Sequence, residues 1–130
     1  MAEVGEDSSQ VQTSDRDRLL ELGSAALARG AWFEAHECWE RAWRLSVAPD
    51  RMVVQALAQL AAALVHLSNG RHRGATSVLA KARGKLMLPD TPATVGTVDV
   101  IAVRSLIERL RDELAVGRTP DLHAVDLRRR

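Results

Sequence analysis

Shifted forty residues along itself, the chain repeats its own pattern: residues 23–50 return as residues 63–90. Leu27, Gly30, Ala35, Ala42, Pro49 and Asp50 reappear as Leu67, Gly70, Ala75, Ala82, Pro89 and Asp90. Each half reads as a helix, a glycine turn, a second helix and a Pro-Asp break. Glycine ends a helix because it takes positive φ without steric cost, and proline because it has no N–H to donate. Alanines at matching positions let the paired helices approach closely. The repeat therefore specifies two helical hairpins joined at Pro49-Asp50.

The remaining elements follow from caps and periodicity. Residues 1–14 are small, polar and acidic and are expected to be a disordered arm. Ser14 is the expected N-cap of helix 1, with Asp15 and Asp17 in its first turn and Gly30 after its end. Helix 2 is predicted over about residues 31–46, helix 3 over 51–68 and helix 4 over 72–87. The segment 89–98 has two prolines and a glycine and is expected to be irregular. Asp99 is placed to cap helix 5, whose Val103, Leu106, Ile107, Leu110 and Leu114 form an apolar stripe ending before Gly117. Residues 118–130 read as a loose tail. No stretch sustains strand alternation and the chain has no Tyr. The expected fold is all-α: a five-helix bundle of two antiparallel hairpins plus a closing C-terminal helix, forming one domain over 15–117. The hairpin unit resembles a tetratricopeptide, with Leu22-Gly23, Gly30, Ala35, Trp39 and Ala42 in place, although its period is forty rather than about 34.

Composition excludes several function classes. A net charge of +1 gives no global field for nucleic acid or membrane. The acidic N-terminal segment is the reverse of a signal n-region, and Met52 to Ser68 reads as too short and too polar to span a bilayer. One cysteine, Cys38, cannot make an internal bridge, so a reducing cytoplasm is expected.

Helix 2 holds all three tryptophans and the densest chemistry, in the run FEAHECWERAWR. At about 100° per residue, Trp32, His36, Trp39 and Trp43 share one face, with Glu40 at its edge one turn beyond His36. Glu34, Glu37, Arg41 and Arg44 take the solvated side. A core stripe explains the tryptophans, but a buried His36–Glu40 pair must find polar partners. Helix 3 is apolar nearly all round except for Gln55, Gln59 and His66, which share a stripe with Ala62. Packed antiparallel, the two helices would set a Gln/His stripe against a His/Glu stripe. The expected pocket lining is His36, Glu40, Trp43, Gln55, Gln59 and His66.

Three readings of that pocket are open. His36, Glu40 and His66 are sensible ligands for a divalent metal, although HExxE is not the HExxH of zinc proteases and no fourth ligand stands out. His36 could act as a base oriented by Glu40. A buried polar network that fixes helix register requires the least, and any binding is then done elsewhere. Glu37–Arg41 and Glu40–Arg44 are ordinary i, i+4 pairs, and the second gives Glu40 a role without any ligand.

Helix 4 and its lead-in carry Arg71, Arg73, Lys81, Arg83 and Lys85, with no acid between 70 and 88. Without interleaved aromatics this reads first as a solvated face and only second as a weak nucleic-acid contact. His72 and His123 sit in polar surroundings. Cys38 has no activating neighbour beyond Arg41, which argues against a catalytic thiol.

The run Phe33 to Glu37 with Glu40, Trp43 and Arg44, followed by Gln59, Ala61, His66, Gly70, Arg73, Gly74 and Ala75, resembles the domain-of-unknown-function family 309. The likeness spans about residues 19–88, with a weaker echo at Val98-Asp99-Val100. Arg71 departs from it where the family often has Asn. The resemblance implies a compact helical bundle of bacterial and archaeal cytoplasmic proteins. It also implies that His36, Glu40, Gln59 and His66 belong together, and it supplies no reaction, ligand or partner. The function expected is a non-enzymatic binding or scaffold module that self-associates, with acid–base or metal-dependent catalysis through His36 and Glu40 as the alternative.

Overall fold

A computed structural model describes residues 8–129. Five helices follow one another: α1 (Ser8–Ala28), α2 (Trp32–Arg44), α3 (Asp50–Ser68), α4 (His72–Lys85) and α5 (Val100–Ala115). A two-stranded antiparallel hairpin, β1 (Thr94–Val95) and β2 (Val98–Asp99), precedes α5. Helices α1 to α4 each pack on the next, and α5 closes against α4 and α3. The all-α five-helix bundle expected from the sequence is what the chain forms.

The repeat is written into the backbone. Gly30 and Gly70 have φ of 78° and 73°. The residues after them, Ala31 and Arg71, have nearly the same dihedrals (φ −87°, ψ 74° and φ −95°, ψ 74°). In each turn the glycine N–H donates three residues back, to the carbonyl of Leu27 or Leu67, and the next N–H returns to Ala26 or His66. The buried residues correspond too: Ala35, Trp39 and Ala42 on α2, and Ala75, Leu79 and Ala82 on α4, all fully enclosed.

Helix α3 is the hub, with ten buried apolar residues. It is also long and apolar enough to cross a bilayer by length and composition, against the sequence expectation, and over half of it is buried in the bundle. A central helix enclosed by protein needs the same composition as one enclosed by lipid. Its start is pinned from two sides. Arg16 of α1, itself nearly buried, donates to Asp50 (2.8 Å) and Asp17 (2.6 Å). Arg51 lies 4.4 Å above the Trp43 ring and donates to the carbonyls of Trp43 and Ser46 (3.1 Å each), closing the end of α2.

Three sequence expectations are corrected. Of the arm expected over 1–14, residues 1–7 lie outside the described residues and the rest are helical, so Ser14 is an exposed residue inside α1 rather than its cap. The sequence shows no strand alternation, yet 94–99 is a small hairpin. Strands of two residues are too short to register as alternation, though Val95 and Val98 point inward and Gly96, at φ 57°, makes the two-residue turn. The tail is not loose. Leu127 is 1% exposed, its carbonyl accepts from the Asp99 N–H (2.8 Å), and the Arg129 N–H donates to Thr97 (2.8 Å). Arg128 pairs with Asp126 and with Glu21 of α1 (2.7 Å). Asp99 caps α5 as expected, accepting from the Ile101 and Ala102 N–H groups.

Candidate functional site

The burial of α2 is centred on Ala35, Trp39 and Ala42. The cause lies on α1. Gly23 presents bare backbone to the Trp39 indole, so the ring sinks fully between the helices and its Nε1 donates to the Leu20 carbonyl (3.3 Å). With Trp39 at the centre, His36 is turned to the rim, its side chain 27% exposed, and Glu40 stands farther out at 36%. Trp32 and Trp43 are half-buried and pack against the core from the same side.

His36 has two carboxylates beside it and bonds neither. Its Nδ1 is 4.0 Å from Glu37 and its Nε2 is 4.0 Å from Glu40, beyond hydrogen-bond reach. Glu40 also faces Arg44 at 3.7 Å. The closest ring to His36 is Phe33, with centroids 6.3 Å apart and planes tilted by 32°. That Phe33 is 63% exposed. The same 100° spacing that groups the tryptophans sets Phe33 beside Glu40 and away from them.

On α3, Gln55, Gln59 and His66 are all half-buried, as one stripe requires. His66 leans on α4 rather than α2: a Cβ added at Gly74 would lie 3.0 Å from its Nδ1. Trp43 Nε1, Gln59 Oε1 and His66 Nδ1 are buried with no hydrogen-bond partner among the described residues. Among the described residues no three of the His, Cys, Asp and Glu side chains come together to hold a metal ion, so His36, Glu40 and His66 do not converge on one. The residues needed for ligation lie on adjacent helices but face different neighbours.

Open space lies elsewhere. A cavity of about 250 Å³ sits between the end of α4 and α5, lined by Arg83, Met87, Arg104 and Ile107. One of about 450 Å³ opens between the first turns of α4 and the end of α5, beside Arg73 and Arg118. None of the six expected pocket residues lines either. Of the basic residues of α4 and its lead-in, Arg83 is taken up by Glu108 (2.8 Å), while Arg71, Arg73 and Lys81 are exposed. Burial pushes the Cys38 thiol up, and Glu34 adds to it, which disfavours the thiolate a nucleophile needs.

The outward side of α2 is thus a solvent-facing surface with an apolar point at Phe33. Its charge is graded, with Glu34, Glu37 and Glu40 toward one end and Arg41 and Arg44 at the other. Residues 20–78, from the middle of α1 to the middle of α4, match the family model of a domain of unknown function, DUF309. No curated protein and no solved structure matches the chain.

Proposed function

We propose that this chain, whose residues 20–78 carry the likeness to DUF309, is a non-enzymatic scaffold module that self-associates through the outward face of α2. The observation that carries the reading is Phe33, a large apolar ring 63% exposed on a helix whose other side is locked into the core. A rigid helix presenting an apolar anchor within a charged rim has the make-up of a small protein interface.

Charge selects a second copy as the occupant. A two-fold axis passing near Cys38–Trp39 sets two α2 helices antiparallel. Glu34 then faces Arg44 of the other copy, and Glu37 faces Arg41, each contact made twice as an isologous interface requires. The present partner of Glu34 is Arg29, in a pair with both side chains 54% exposed, and such a pair is cheaply exchanged. Thirteen residues span only about 20 Å, so the contact is small and a dissociation constant on the order of micromolar is expected. The His36–Glu40 pair, 4.0 Å apart at the rim of this face, then tunes the surface rather than moving protons.

Sedimentation velocity over about two decades of concentration tests this. The wild-type chain is expected to shift from its 14.2 kDa monomer to a dimer, while Phe33→Glu stays monomeric with an unchanged far-UV spectrum. A wild-type chain that is monomeric throughout, or a Phe33→Glu variant that dimerises equally, overturns the proposal.

A further inference from the structure

The C-terminal segment lies in a groove that the five helices would otherwise leave open. The walls come from four elements: Leu27 at the end of α1, Trp32 at the start of α2, Leu64 of α3, and Leu106 and Leu110 of α5. Leu122 and Val125 of the tail cover it so closely that only about 10 Å³ is left between them. Uncovered, these walls would form an apolar patch of the kind that soluble surfaces seldom show without a partner.

What holds the tail is separable. Residues 118–129 form no helix of their own. Their attachments include two backbone hydrogen bonds to the hairpin, the buried Pro120 and Leu127, the half-buried Leu122 and Val125, and the Arg128 pairs with Glu21 and Asp126. The connection to α5 is exposed from Val116 to Thr119. A segment without regular structure, joined through an exposed hinge, can open without global unfolding.

We infer that this groove is a peptide-docking site whose resident ligand is the chain's own tail. Its incoming occupant is an extended partner segment with the same chemistry, apolar residues spaced Leu-x-x-Val-x-Leu before a basic residue. The tail itself shows the fit: Leu122, Val125 and Leu127 face inward, and Arg128 meets the acid Glu21. The site is distinct from the α2 face and stands whether or not copies pair there.

The probe is a fluorescent peptide copying residues 119–129, and the protein is the full chain with Cys38→Ser, Val98→Cys and Arg128→Cys. Val98 and Arg128 are directly opposed across the bridge, a position suited to a disulfide. Oxidised, the strap is locked and the peptide should not bind. Reduced, the strap can leave and the peptide should bind, at least about tenfold more tightly than to the oxidised form, since a tethered tail competes at roughly millimolar effective concentration. A full-length Leu127→Asp chain, its strap weakened without any new thiol, should bind the peptide as well. Equal binding by oxidised and reduced chains, or no binding to either the reduced chain or a folded Leu127→Asp chain, overturns the inference. If the peptide binds only as labelled full-length chains exchange tails, seen as disulfide-linked dimers, the occupant is a second copy and the partner assignment fails.

Discussion

Gly23 leaves its Cβ space to the Trp39 indole: a Cβ there would fall 2.3 Å from the tryptophan Nε1. The contact sets the rotation of α2 about its axis, and through it which residues of that helix face water. Gly23→Ala must push the indole outward and break its hydrogen bond to Leu20. Overpacking of this kind costs about 1–3 kcal/mol and should lower Tm by roughly 5–10 °C in a chain of this size. An unchanged thermal melt would show that α2 can turn freely.

The glycines of α4 should behave oppositely. Nothing lies within 4 Å of a Cβ at Gly84, so Gly84→Ala should stabilise by about 0.5–1 kcal/mol through helix propensity. At Gly74 a Cβ would lie 3.0 Å from the His66 ring, which should cancel that gain, and a His66→Ala background should restore it. A double-mutant cycle by denaturant unfolding reads the coupling, and additive effects at 66 and 74 would contradict the contact.

His36→Ala and Trp39→Ala should separate sharply. Trp39 is fully enclosed, and its truncation costs about 3–5 kcal/mol. His36, 27% exposed and bonded to neither neighbouring carboxylate, should cost under about 1 kcal/mol. A loss at His36 comparable to Trp39 in urea unfolding would mean that the histidine belongs to a buried network after all.

Acid should loosen the clasp between tail, hairpin and α1. Hydrogen bonds from Thr97 and then Arg128 hold the Glu21 carboxyl below the ordinary glutamate value. A depressed folded pKa contributes stability above the unfolded value and loses it as pH falls through the folded one. The group is 45% exposed, so the effect is local and modest. Hydrogen exchange at the Arg129 amide should quicken as pH drops below the ordinary glutamate range, after correction for intrinsic rates. In Glu21→Gln that pH step should vanish, and its persistence there would assign the step to another group.

What could be read from the sequence was local. Helices α2 to α5 end where glycine, proline and Asp99 end or cap them, because caps act within a turn. The forty-residue repeat gave the hairpins because its glycines need positive φ in both copies. The solvated side of α2 and the polar stripe of α3 followed from spacing alone, and so would the outward position of Phe33 have done. Long-range geometry did not follow. Arg128 meets Glu21 across 107 residues, and no periodicity marks that pair. A pocket shared by His36, Glu40 and His66 follows only if helices 2 and 3 set their polar stripes face to face. Packing at Gly23 and Gly74 decided otherwise, turning His36 to the rim and His66 toward α4.

The central claim is that α2 pairs with α2 of a second copy, and mixing charge-swapped chains tests it most directly. One variant carries Glu34→Arg and Glu37→Arg, the other Arg41→Glu and Arg44→Glu. Each alone sets like charges against each other at both contacts and should sediment as a monomer, while an equimolar mixture should form a one-to-one heterodimer. A mixture that stays monomeric while the wild-type chain dimerises, or either variant dimerising alone, would contradict the antiparallel α2 interface.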